Sequence, residues 1–325
     1  MDNLIISKAR MKDILGGMME SYLLSAPVRD GKVTDFRDIT DANDILMDDQ
    51  IPYKSPKEFF LPRCEKLFSF GEDGAAINLP DRPRVIFGVK PCDLEAIAIL
   101  TKVLLEGKFA DPFWGAHLEN NLLIGVGCRE QKPGCFCHRL GVDMAYSGKC
   151  DLFLEDLGED YRILYLSDKG MKKLGEHIPG VKNFEGEATC RKIAPDLFLP
   201  EDCGSIFDKV NWEAISEICH ACGLCTFICP TCHCFEFKDV QKYGQAKRFR
   251  NWDSCIFPKF TLHASGHNPR ESKAARYRQR ILHKYLYFVQ NQEITGCTGC
   301  GRCIRSCPAG MNIERIVEGI MEELS

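Results

Sequence analysis

The sequence predicts a mixed α/β (or α+β) domain over residues 1–200, followed by a mainly helical domain over residues 201–325. Three observations carry this division. Strand-like and helix-like segments alternate through roughly the first 180 residues, the pattern of a layered sheet-and-helix domain. From Val210 onward the alternation gives way to helical periodicity. Within this C-terminal region a cysteine run occurs twice, as Cys219-His-Ala-Cys222-Gly-Leu-Cys225-Thr-Phe-Ile-Cys229-Pro230 and as Cys297-Thr-Gly-Cys300-Gly-Arg-Cys303-Ile-Arg-Ser-Cys307-Pro308.

Taken in order, Met11, Ile14, Leu15, Met18, Met19 and Tyr22 recur at helical spacing after Ser7 and predict an amphipathic helix with a serine cap. Residues 22–28 and 32–39 flank Asp30-Gly31, and residues 68–70 and 75–79 flank Asp73-Gly74, so both pairs read as hairpins. Residues 84–88 form a short apolar strand, after which Asp93 is a candidate cap for a helix carrying Leu94, Ile97, Leu100, Val103 and Leu104. A buried-type strand over 121–127 follows, then a hairpin over 151–167 and a short helix over 168–177. Residues 190–210, with two prolines and no period, read as the linker. Beyond it, residues 274–292 and 312–324 are amphipathic helices, the last capped by Asn312.

With 325 residues, 45% of them hydrophobic and 27% charged, the chain can bury a substantial core. Its 19 cysteines fall in C-x2-C groups and not at disulfide-like intervals. The N-terminus lacks a secretory apolar region, and no apolar run approaches the roughly 20 residues of a membrane span. Together these predict a cytoplasmic protein in a reducing, oxygen-poor cell. The net charge is −4, but between Lys238 and Lys284 twelve Lys or Arg stand against Asp239, Asp253 and Glu271 alone. Such a run is a solvated face with cations that offset negative groups nearby, or a docking surface for an acidic partner. No aromatic-interleaved or DNA-binding pattern accompanies it, which argues against nucleic acid.

Each cysteine run reads C-x2-C-x2-C-x3-C-P, the arrangement by which bacterial-type ferredoxins hold 4Fe-4S clusters, with the fourth cysteine crossing to the other cluster. Crossing assigns Cys219, Cys222, Cys225 and Cys307 to one cluster and Cys297, Cys300, Cys303 and Cys229 to the other. The metal is iron, held through the same cysteines. Zinc also takes four ligands but has no use for the third C-x2-C step and the C-x3-C-P ending. The C-terminal domain is therefore a two-cluster 4Fe-4S ferredoxin-like domain, and the long separation between the runs, residues 230–296, places its clusters between helices.

Two further cysteine sets are candidates for a third site. Cys92, Cys128, Cys135 and Cys137 lie at strand ends or in loops of the first domain, where an α/β sheet gathers its loops. They offer four thiols to a third 4Fe-4S cluster, to zinc, or to no metal at all. Cys232-His-Cys234 with Cys255 is the competing set and needs one more ligand, such as His233 or His263. Cys64, Cys150, Cys190 and Cys203 read as small buried residues. Gly125-Val-Gly127 follows a strand but lacks the third glycine of a dinucleotide fingerprint, and no P-loop or G-x-S-x-G occurs. The equipment is that of an electron carrier, and no catalytic residue is identified.

Lys54-Ser-Pro-Lys-Glu-Phe-Phe-Leu-Pro, Gly88-Val-Lys-Pro-Cys-Asp-Leu-Glu-Ala-Ile, Cys135-Phe-Cys137, Trp252-Asp-Ser-Cys255, and Gly266-His-Asn-Pro-Arg followed by Arg276-Tyr-Arg-Gln-Arg give the chain a family resemblance. From about residue 50 onward it resembles the iron-sulfur beta subunit of cytosolic sulfhydrogenases and the corresponding iron-sulfur subunit of anaerobic sulfite reductase. The resemblance implies an electron-transfer subunit between a flavin and 2Fe-2S reductase partner, which handles NAD(P)H, and a hydrogenase or sulfite reductase catalytic subunit. Two alternatives are the iron-sulfur subunit of a heterodisulfide-reductase-linked complex and an enzyme with its own substrate site at a first-domain cluster.

Overall fold

The computed structural model describes residues 4–71, 74–178, 191–199, 203–242 and 244–324, and the chain divides into two compact units. The first unit takes Met1–Phe60, Leu79–Lys132 and Gly141–Ile193, and the second takes Leu61–Asn78, Pro133–Leu140 and Ala194–Ser325. Beside the expected division at residue 200, the second unit starts slightly earlier and also draws in two short segments from far up the chain.

The chain begins with β1 (Ile5–Ser7), α1 (Lys8–Met18), β2 (Leu23–Asp30) and β3 (Val33–Ile39). β4 (Cys64–Gly71) and β5 (Gly74–Ile77) belong to the second unit. The first unit resumes with β6 (Arg84–Val89), α2 (Pro91–Leu105), α3 (Pro112–Asn120), β7 (Asn121–Val126), β8 (Leu152–Asp156), β9 (Asp160–Leu166) and α4 (Asp168–Leu174). Its seven strands form one sheet in the order β1-β9-β8-β7-β6-β2-β3. β2, β6, β7 and β8 run parallel at its centre, β3 and β9 flank them antiparallel, and β1 pairs antiparallel with β9 at the edge.

The central strands are buried on both faces, which is why residues 85–89 and 122–126 read as near-continuous apolar runs without alternation. α1 lays Met11, Ile14, Leu15 and Met18 into this core, and the Ser7 side chain accepts from the Arg10 N–H as its cap. α2 differs from its expected start: Pro91 occupies the first helical turn, the flanking position is Lys90, and Asp93 is buried inside the helix. The Lys90 ammonium pairs with Asp49 at 2.9 Å, both side chains being buried.

Gly125 and Gly127 have a packing role. A Cβ on Gly125 would lie 2.7 Å from Phe153 Cδ2, and one on Gly127 would lie 2.7 Å from the Ala145 carbonyl oxygen. Their absence of side chain lets neighbouring elements close on β7, with no phosphate-binding turn involved.

The second unit adds α5 (Cys203–Lys209), α6 (Trp212–Ser216), α7 (Leu224–Phe227), β10 (Phe235–Lys242), β11 (Gln245–Trp252), α8 (Lys273–Leu282), a π-helical turn (His283–Tyr287), α9 (Phe288–Gln292), α10 (Arg302–Arg305) and α11 (Ile313–Leu324). α5 lies in the stretch expected to be linker. The mainly helical expectation misses a four-stranded antiparallel sheet ordered β10-β11-β4-β5. The β10–β11 hairpin is rich in charge and largely exposed, so its period is blurred, and its other partner β4 comes from the opposite end of the sequence. The core of this unit gathers Trp212, Ile281, Tyr285, Val317 and Ile320. Among the described residues no helix is long and apolar enough to cross a membrane.

One buried ion pair fastens the sheet. Arg250 on β11 donates to Glu65 on β4, with Nε and Nη2 at 3.2 and 2.5 Å from Oε2, and both residues are buried. Breaking a buried pair strands a charge in low dielectric, so Arg250→Met alone is expected to cost about 3–5 kcal/mol. The double change to Met at both positions should recover most of that loss, as read by urea unfolding of the four-protein cycle.

Candidate iron-sulfur site

The two cysteine runs fold as equivalent pieces of the second unit. Gly223 and Gly301 adopt left-handed backbone conformations, with φ of 75° and 70°, and each starts a short helix, α7 or α10. This reversal, cheap only for glycine, lets the second and third cysteines of each run sit on either side of a turn. The glycines also face close neighbours: a Cβ on Gly223 would lie 2.5 Å from Phe257 Cε1, and Gly301 abuts the backbone of Gly134.

Two cavities lie against these helices. One is lined by Cys219, Cys222, Cys225 and Cys307 with Tyr277 and Arg280, and Cys303 also reaches it. The other is lined by Cys229, Cys297, Cys300 and Cys303 with Arg280 and Lys284. The second thus has three cysteines of the second run and one of the first, and the first has three of the first run with Cys303 and Cys307 of the second. A short network makes this exchange possible. Lys284 Nζ lies 2.7 Å from both Thr231 Oγ1 and the Gly296 carbonyl, Thr231 Oγ1 donates to that carbonyl at 2.6 Å, and Cys229 Sγ lies 3.3 Å from Thr231 Oγ1. The end of the first run is thereby tied to the start of the second.

The residues fit an anionic, thiolate-bound cluster. Among the described residues no three His, Cys, Asp or Glu side chains converge on a single metal ion, whereas five thiols line the first cavity and four the second. The Tyr285 hydroxyl is buried with the Cys297 thiol as its neighbour, and the buried Thr298 hydroxyl has no hydrogen-bond partner among the described residues. Thr298 lines the second cavity. Hydroxyl donors there suit sulfur acceptors in the cavity.

Charge points the same way. Of the twelve cations between Lys238 and Lys284, Arg250, Arg276, Arg280 and Lys284 are buried, so the basic run is partly interior. Arg280 and Lys284 have no carboxylate partner among the described residues. Burial opposes the charge of each, yet the net shift of each pKa is upward because thiols surround them: Cys225, Cys232 and Cys303 for Arg280, Cys229 and Cys232 for Lys284. In return, the Cys229 thiol is held well below its ordinary value, first by the hydrogen bond from Cys232, then by Lys284 and Arg280 against the effect of burial. Burial pushes Cys225 and Cys303 upward. The sequence carried one signal for this pair that the charge count hid: two cations four residues apart on the apolar face of a helix.

Cys135 and Cys137 belong to the second unit, and Cys92 and Cys128 to the first. Cys92 is buried in the first turn of α2, and the Cys128 N–H donates to the Met144 carbonyl at 2.8 Å. The Cys135 segment covers the second cysteine run: the Phe136 N–H donates to Gly299 O at 2.8 Å, Cys135 Sγ lies 3.4 Å from Cys300 O, and Arg305 reaches Pro133 O at 3.0 Å and Cys135 Sγ at 3.4 Å. Cys232, Cys234 and Cys255 come together in the second unit. His233 instead packs near His283 and Phe288 with Nδ1 3.1 Å from the Thr231 carbonyl, and His263 is exposed beside His267. Cys150 is buried as expected, but Cys64 is exposed at the start of β4. Cys190 and the Cys203 side chain lie outside the described residues.

Residues 218–311 match the family of 4Fe-4S dicluster domains, so the fold and site define an iron-sulfur protein of the two-cluster class. Over 313 residues, 92% of either chain, the protein is 32% identical to sulfhydrogenase 2 subunit beta of Pyrococcus furiosus. The chain belongs to the sulfhydrogenase beta-subunit family. No solved structure matches it.

Two outcomes follow from the buried charges. Lys284→Met removes a cation and the hydrogen bonds it donates to Thr231 Oγ1 and the Gly296 carbonyl, which keeps only the Thr231 hydroxyl as donor, an expected loss of about 1–3 kcal/mol. It should also lower the midpoint potential in an EPR-monitored redox titration, because a nearby cation favours electron uptake. His283 is pushed down to about 4, first by burial and then by Lys284. Unfolded chain, with an ordinary value near 6.5, takes up this proton earlier, so stability is full above about pH 6.5 and falls toward pH 4. Chemical unfolding should show about 2 kcal/mol lost between pH 7.5 and pH 5, and His283→Leu should flatten that component.

Proposed function

We propose that this protein is an electron-transfer subunit that relays electrons through two 4Fe-4S clusters inside an anaerobic oxidoreductase complex of the hydrogenase or sulfite reductase type. Its partners on this reading are a flavin and 2Fe-2S reductase subunit linked to NAD(P)H and a catalytic subunit that carries the terminal chemistry. The observation that carries it is the pair of cavities, each lined by three thiols of one run and joined by the other run: Cys307 and Cys303 at the first, Cys229 at the second. Cys219, Cys222, Cys225 and Cys307 would hold the first cluster, and Cys297, Cys300, Cys303 and Cys229 the second. Bound there, such a cluster supplies a one-electron couple, tunable within about −700 to +450 mV.

The protein's own role is to hold the thiolates and balance their charge. Arg280 lines both cavities, so a single guanidinium is placed to temper the negative charge of both ligand sets. Lys284 and the Tyr285 and Thr298 hydroxyls act on the second set alone. Apolar walls from Ile256, Met311 and Ile313 limit water at the first. The reading puts the chain in the reducing cytoplasm, since the ligands must be thiolates, and no described cysteine forms a disulfide.

Anaerobically prepared protein is expected to bind about eight irons at these two sites and to show a broad absorbance band that dithionite bleaches. Cys222→Ser and Cys300→Ser should each remove about half of that iron. Four irons or fewer in the unsubstituted chain, with no bleachable band, would sink the proposal. NAD(P)H should bleach the band only when a flavoprotein reductase is added, which checks the direction of supply.

A further inference from the structure

Beyond the eight cysteines of the two runs, one other group of thiols converges in the second unit. The last ladder pair of the β10–β11 hairpin is Phe235 with Trp252, and just past it the Asp253 N–H donates to the Cys234 carbonyl at 2.9 Å. The hairpin therefore brings Cys234, which precedes β10, to the loop that follows β11 and carries Cys255. The Cys234 and Cys255 thiols are in hydrogen-bonding contact, and Cys232 lies close enough to act electrostatically on Cys255. None of the three is in a disulfide; Cys255 is buried, and Cys232 and Cys234 are half-buried.

Three features of the surroundings argue for a ligand site and against thiols used as apolar filler. The Cys255 loop is anchored on both sides: Ser254 Oγ lies 2.8 Å from Thr226 Oγ1, and the Ile256 carbonyl accepts from Arg276 Nε at 2.8 Å. Arg280 Nη1 lies 3.5 Å from Cys232 Sγ, and this buried guanidinium has no carboxylate among the described residues to balance it, as expected beside a group that becomes anionic on binding. Cys232 also touches Cys229, which sets the three thiols directly against the second cavity. A single ion is disfavoured, because among the described residues no three side chains converge on one point; a polynuclear cluster can be held by thiols spread more widely.

We infer that Cys232, Cys234 and Cys255 hold a third iron-sulfur cluster, bound by three cysteine thiolates and leaving one iron without a cysteine. This goes beyond the two-cluster relay and does not depend on which partners the relay serves. The cluster would sit beside the second site, with Arg280 as its buried counter-charge.

The test is iron and acid-labile sulfide analysis with Mössbauer spectroscopy of the full chain, reconstituted anaerobically with iron and sulfide. The expected result is about twelve irons per chain, with Cys234→Ser and Cys255→Ser each losing about four while both run clusters keep their EPR signals. Mössbauer intensity in the unsubstituted chain gives the same answer if the variants fold poorly. About eight irons, unchanged in both variants, would overturn this inference and leave the two-cluster reading intact. About twelve irons, lost on Cys128→Ser or Cys135→Ser but not on Cys234→Ser or Cys255→Ser, would overturn it in favour of the other cysteine set. Fewer than eight irons with Cys222→Ser silent would overturn the relay itself.

Discussion

Eight cysteines line two adjoining cavities, and on binding clusters as thiolates they would concentrate negative charge that a protein interior does not tolerate without compensation. The second unit meets this with two cations on one continuous helical stretch. Arg280 borders both cavities, and Lys284, one turn further, is fixed by Thr231 and Gly296. Much of the unit's architecture serves that placement. α8 and the π-helical turn are buried in one core with Ile256, Trp212 and α11, which turns the cations inward. The π-helical geometry falls on His283–Tyr287, the turn that contributes both Lys284 and Tyr285, and such local widenings recur at functional sites.

The division between the units clarifies how the chain is used. The first unit has the layered parallel sheet of a binding domain, yet its glycine-rich strand end serves packing: Gly125 and Gly127 make room for Phe153 and the Ala145 carbonyl. Its polar interior is a structural ion pair between Lys90 and Asp49, extended by Lys132 at 3.0 Å. The redox equipment with clear geometry is confined to the second unit, which borrows Leu61–Asn78 and Pro133–Leu140 to complete its sheet and to cover the second cysteine run.

Much of this was legible in the sequence because it rests on local rules. The parallel strands announced themselves as unbroken apolar runs, α1 and α11 as periodic faces with Ser7 and Asn312 as caps, and the cysteine runs by their spacing. What escaped depends on contacts distant in sequence. β10 and β11 were hidden because their charges obscured the alternation and β4, the partner that makes them a sheet, lies more than 170 residues earlier. Arg280 and Lys284 vanished into a count of basic residues, since a charge total cannot distinguish a solvated lysine from one buried against thiols. Cys64 looked like any other isolated cysteine, and only its place on β4 shows it exposed.

The borrowing of β4 has a consequence for how the protein is made. Because Glu65 must meet Arg250, and the last cysteine of the second run lies near the C-terminus, the second unit cannot close until nearly the whole chain has left the ribosome. Its contacts are of high order, the kind that delay folding and leave strand edges exposed meanwhile. The first unit, also interrupted but complete by residue 193, can collapse earlier. During that interval β4 is paired on one side only, with β5, and the edge that β11 later takes is open to any passing strand. Topology thus orders biogenesis: the sheet of the first unit can form before the second unit closes.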